Sequence, residues 1–172
     1  MSLVPSLPTN GRFILTYPLL NLVGMSLRDI MDLAVLVEHE AKARYETFAR
    51  QMDAGNAPKA AIFFRKMVTL EGTHADTVSA ARTMMFGNAP SKVNYSMLFD
   101  VEAPDHREIR VGMTHREALL SVLRVEQRAE AFFAAAHDAV SDAKAREIFA
   151  MLRDEETAHV SYVEREIRKL PT

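Results

Sequence analysis

Four segments of this sequence repeat apolar residues at the spacing of an α-helix, and each repeat is interrupted in its middle by a carboxylate. The first stripe runs Met31, Ala34, Glu38, Ala41, Tyr45, Phe48, Met52, and the third runs Leu119, Val122, Glu126, Ala129, Phe133, Ala136. In the second and fourth the interruption is a Glu-x-x-His pair: Phe64, Met67, Glu71, His74, Val78 and Phe149, Leu152, Glu156, His159, Val163. Apolar residues three and four apart form one buried face of a helix, so these positions point to a common core. No stretch alternates with period two over a useful length, and only 6 glycines are present. The chain is expected to be all-α.

Start and stop signals bound the four helices. Ser26 stands three before Asp29 and opens a helix to about Met52; Ala54-Gly55-Asn56 breaks it. Asn56 is expected to cap a second helix, with Pro58 in its first turn, ending near Met85 before Gly87-Asn88-Ala89-Pro90. Thr114 and Glu117 form a capping box for a third helix to about Asp138, and Ser141 and Asp142 can cap a fourth that runs through Leu170. The first and third connections are short, which makes two antiparallel hairpins. Between them, about 86–114 is long enough to travel the length of a bundle. A four-helix bundle over 26–170, with one long crossover and an N-terminal arm over 1–25, is the expected organisation. At 172 residues and 48% hydrophobic content, one core is the expectation.

Composition removes several functions. A formal charge of −2 provides no basic stripe for nucleic acid. The apolar stretch Phe13–Gly24 is too short to span a bilayer and contains Pro18, so no membrane role and a cytoplasmic location are expected. With no cysteine, disulfides, thiolate zinc sites and iron–sulfur clusters are excluded. Any metal must be held by nitrogen and oxygen.

The interrupting residues fall at matched heights. Glu38 lies 17 residues before Gly55 and Glu71 lies 16 after it, so both stand roughly 25 Å from that turn. Glu126 and Glu156 lie 15 residues either side of Ser141, roughly 22 Å away. On a helix, i and i+3 share a face, so His74 and His159 join their glutamates in the same layer. Unpaired, four buried carboxylates would each cost several kcal/mol. No lysine or arginine lies on the four stripes to neutralise them. Two divalent cations would do so, and carboxylate with imidazole suits iron, manganese, or one of each. The expected ligands are Glu38, Glu71, His74, Glu126, Glu156 and His159. His39 is turned away from Glu38 by 100°, His106 and His115 belong to the crossover and a helix start, and His137 is expected on the surface. Glu40 and Glu155 lie off the inner line, though Glu155 is placed to orient His74 or His159. Tyr45 either packs in the core or serves the layer by a hydrogen bond or electron relay; Glu130 is a second candidate for such support.

The set Glu38-His39-Glu40-Ala41-Lys42-Ala43-Arg44-Tyr45, Glu71-Gly72-Thr73-His74, Glu126 and Glu156-Thr157-Ala158-His159 resembles the ferritin-like superfamily and, within it, the rubrerythrin-like di-iron proteins, over about residues 27–170. The resemblance implies a ferritin-like bundle in which Glu71 and Glu156 bridge two irons, Glu38 and Glu126 are terminal ligands, and His74 and His159 give one nitrogen to each metal. Two departures have consequences. Rubrerythrins carry a cysteine-ligated electron-delivery module, whereas this chain has no cysteine and needs an external electron donor. They also carry a further Glu three residues after the third-helix ligand, where this chain has Ala129, with Glu130 facing inward only in part. The six-ligand set that remains is similar to bacterioferritin-type and oxygen-activating sites.

The leading expectation is an oxidoreductase that reacts with dioxygen or hydrogen peroxide. Two other classes compete: ferroxidation with iron storage, which requires a hollow shell, and a metal-filled bundle acting as a structural or interaction module. The run Ile30–Val37, with only Asp32 polar, is wider than one stripe needs and points to burial against a second chain, giving a homodimer, or against the N-terminal arm.

Overall fold

The computed structural model describes residue 22 and residues 24–93 and 112–171. The expected arm over 1–25 and crossover over 86–114 therefore fall largely outside the described residues. Four helices are present: α1 (Leu27–Ala54), α2 (Pro58–Phe86), α3 (His115–Ala139) and α4 (Ala143–Arg168). Among the described residues there is no strand. Each helix ends within two residues of the position expected from sequence.

Three of the four starts use the expected cap. The Ser26 hydroxyl accepts from the Asp29 N–H at 3.2 Å, and the Asp142 carboxylate accepts from the Ala145 N–H at 2.9 Å. At Thr114 the box is reciprocal: the Glu117 N–H donates to its hydroxyl at 3.2 Å, and its own N–H donates to the Glu117 carboxylate at 2.8 Å. The fourth expectation fails. Asn56 does not cap α2; that place falls to Ala57, which makes no side-chain cap. Asn56 instead terminates α1 with φ of 54°, in the left-handed region that asparagine tolerates better than most residues. Its N–H reaches Asp53 O at 3.1 Å, while the Ala57 N–H reaches back to Met52 O at 2.8 Å. These two bonds form a Schellman ending, which satisfies carbonyls of α1 rather than amides of α2.

Helix α1 packs closely on α2 and α3 on α4, so the fold consists of two antiparallel hairpins facing each other. The interior divides into two apolar clusters. One gathers Ile30, Leu33, Val78, Phe133, Phe149 and Leu152 with their neighbours; the other gathers Tyr45, Phe48, Phe64, Met67, Leu119 and Val163 with theirs. Between them lies the layer that holds the interrupting carboxylates and histidines.

Asp32 is buried, with Arg82 of α2 donating to it through Nε at 2.5 Å. The same guanidinium donates to Gly87 O and Ala89 O, tying the end of α2 to α1. Ile30 and Leu33 are enclosed within a single chain, in a cluster that includes Leu22. Met31, Ala34 and Val37 of the run Ile30–Val37 are buried in the same cluster, while Val35 and Leu36 are only partly buried.

Candidate metal centre

The six residues expected to converge do so. Glu38, Glu71, His74, Glu126, Glu156 and His159 are each no more than 5% exposed, and they come from all four helices. Both histidines turn Nδ1 into the cluster. His74 Nδ1 lies 3.6 Å from Glu38 Oε2, 3.6 Å from Glu71 Oε2 and 3.3 Å from Glu156 Oε1. His159 Nδ1 lies 3.0 Å from Glu126 Oε2, 3.3 Å from Glu71 Oε1 and 3.5 Å from Glu156 Oε2. Glu71 and Glu156 each present one oxygen to each histidine, whereas Glu38 faces only His74 and Glu126 only His159. The imidazoles lie nearly parallel, 5.0 Å between centroids. One potential ligand atom from each of Glu71, His74, Glu156 and His159 falls within 4.8 Å of the other three.

Burial sets the charge state of this layer without metal. It pushes the Glu38 and Glu126 carboxyls well above their usual range, and neighbouring glutamates add to the effect. Glu71 is equally buried, yet the two histidines outweigh burial and hold it down at about 2. For His74, burial opposes the charged form, but Glu156, Glu38 and Glu71 together push its pKa up to about 12; His159 is raised in the same manner. The polar atoms are not all satisfied by one another. Both oxygens of Glu38, Oε1 of Glu71 and Nδ1 of His74 are buried without a hydrogen-bond partner among the described residues. Orphaned acceptors of this kind are costly in an apolar interior. Carboxylates and imidazoles converging on one buried point fit divalent cations that prefer oxygen and nitrogen.

Neighbouring residues support the layer from outside. The Tyr45 hydroxyl donates to Glu126 Oε1 while its ring stacks on Phe64 at 6.0 Å, so this residue both packs and hydrogen-bonds. Glu155 reaches His74 from outside the bundle, 2.8 Å from Nε2. Glu130 does not reach the cluster; it accepts from the Thr157 hydroxyl at 2.8 Å. His39 is exposed and near Ser79, and His137 pairs with Asp138 at the end of α3. His115 lies at the start of α3 and His106 outside the described residues. The four stripes carry no arginine, but one arginine beside them is buried. Arg44 is 6% exposed, one position from Tyr45, with Glu40 3.6 Å away.

Comparison with known proteins agrees with this geometry. The chain resembles an uncharacterised conserved protein of Magnetospirillum magnetotacticum (24% identity, TM-score 0.72, covering 86% of this chain and 97% of that one). It also resembles the bacterioferritin of Rhodobacter capsulatus, solved with a metal-free dinuclear site and a haem iron (24% identity, TM-score 0.65, 83% of each chain). A third likeness is to a hypothetical protein of Pyrococcus furiosus (17% identity, TM-score 0.57, 84% and 89%). No curated protein matches it. These likenesses establish the ferritin-like four-helix fold, and among the described residues no helix is long and apolar enough to cross a membrane. The rubrerythrin family model matches residues 29–167, which with the buried glutamate and histidine layer places this chain in the rubrerythrin family.

Proposed function

We propose that the chain is a non-haem di-iron carboxylate oxidoreductase of the cytoplasm that reacts with dioxygen or hydrogen peroxide using electrons from an external donor. The observation that carries this reading is the shared placement of Glu71 and Glu156, each offering one oxygen to the neighbourhood of both histidines. A di-iron pair would be held by Glu71 and Glu156 together, with Glu38 and His74 on one side and Glu126 and His159 on the other. Manganese, or one ion of each kind, fits the same donors. When bound, a di-iron pair supplies one-electron steps and an open coordination position for a small oxidant.

The chain's own part is positional and electrostatic. Phe64 and Met67 on one side, and Phe133 and Phe149 on the other, belong to the apolar clusters that flank the layer and keep bulk water from it. Tyr45 steadies Glu126, and Glu155 fixes the ring of His74. With no cysteine in the chain, electrons come from a separate reductant.

Anaerobic addition of ferrous iron should load about two ions per chain, with rapid oxidation on adding peroxide or oxygen. A chain that takes up no metal would remove this reading. Iron handling is the second reading, favoured by the fold shared with a bacterioferritin. Particle size separates the two: we propose a homodimer, whereas storage requires a many-subunit shell, and light scattering distinguishes them.

A further inference from the structure

The second half of the chain repeats the first, but the two halves of the layer are not equal. Glu155, just before Glu156, lies 2.8 Å from His74 Nε2. The matching position before Glu71 is Leu70, which brings no carboxylate to His159. A carboxylate on the far nitrogen fixes the imidazole's orientation and makes the other nitrogen a better donor. The terminal glutamates differ as well. Both oxygens of Glu38, beside His74, are free of hydrogen bonds among the described residues. At Glu126, beside His159, Oε1 already accepts from the Tyr45 hydroxyl, which withdraws electron density from that carboxylate. Glu71 and Glu156 serve both sides and do not discriminate.

We propose that the two metal positions are unequal by construction: the position between Glu38 and His74 fills first and holds its ion more tightly, with Glu155 as its positioning residue, while the position between Glu126 and His159 fills second and exchanges. This inference rests on the dinuclear reading above and adds an order of filling to it. An ordered site can take two different metals in sequence, or cycle one ion while the other stays.

The test is a manganous titration of the full chain, followed by calorimetry and electron paramagnetic resonance. Two resolved steps, the first roughly 10- to 100-fold tighter, are expected from the size of such outer hydrogen-bond effects. At one equivalent the spectrum should be that of an isolated manganous ion, giving way to a spin-coupled pair at two. Glu155→Gln should weaken the first step by a similar factor and leave the second, narrowing the gap. Leu70→Glu, which supplies the absent carboxylate, and Tyr45→Phe should each tighten the second step alone. Two ions bound with equal affinity would overturn this inference while leaving the dinuclear reading intact. So would a Glu155→Gln variant that weakens both steps alike or neither. A wild-type chain that binds no metal would defeat the dinuclear reading itself. Should Glu155→Gln fail to fold, the other two variants still decide the matter.

Discussion

Loading metal should expel protons, and their number follows from the layer. Without metal, burial favours the protonated forms of Glu38 and Glu126, and the surrounding carboxylates favour the charged forms of His74 and His159. Ligation requires all four to be deprotonated, so filling both positions at pH 7 should release up to about four protons per chain, two for each ion. The apparent association constant should then rise with pH, by up to about 100-fold per pH unit for each ion. Stability of the metal-free chain should move oppositely. His74 has a folded pKa of about 12 against 6.5, so its contribution is full below 6.5 and is lost as pH rises towards 12. The raised carboxyls act in the same direction: their contributions are full below 4.5 and fade as pH rises through their folded values. Glu71 has the opposite sign, present above 4.5 and lost as pH falls towards about 2. Near neutrality each proton kept by the fold but not by the unfolded chain lowers stability by about 1.4 kcal/mol per pH unit. Calorimetric titration with manganous ion in two buffers of different protonation enthalpy counts the protons, and urea unfolding from pH 6 to 9 gives the slope. Release of fewer than one proton per ion, or a metal-free stability that rises with pH, would refute this account of the layer.

Three further outcomes follow from the geometry. Glu38→Leu removes a buried carboxyl whose oxygens lack partners, so it should raise the urea midpoint of the metal-free chain while abolishing metal-dependent stabilisation. Arg82→Ala leaves the buried Asp32 carboxylate without its guanidinium and should cost about 3–5 kcal/mol by urea unfolding. An added Asp32→Leu should recover much of that loss. Phe133→Ala empties a wholly enclosed site between α3 and α4 and should cost about 3–5 kcal/mol, with metal stoichiometry unchanged.

The helices and the converging layer were legible because both rest on local periodicity: a glutamate on an apolar stripe is visible without its neighbours, and equal counting from a turn places it in height. Asn56 was misread because asparagine serves equally as an N-cap and as a left-handed terminator; in a connection this short, the choice depends on which helix's backbone groups lie within reach. The Asp32–Arg82 pair spans 50 residues and two helices, so its arginine carried no local mark of its partner. Tyr45 was ambiguous because its place on the stripe fixes the ring and not the direction of the hydroxyl. Glu155 was foreseen as an orienting group for one of the histidines, and only the structure says which.

The helices pack tightly within each hairpin and far less closely across the seam between them. Each hairpin carries half the donor set: Glu38, Glu71 and His74 on one side, Glu126, Glu156 and His159 on the other. Metal bound there would act as a clasp across the seam between the two hairpins. Removing it should let the halves breathe as units, seen as faster amide exchange along all four seam-facing stripes at once rather than fraying from the ends. Any movement that parts the hairpins would also loosen the ions, so opening of the fold and release of metal become one event.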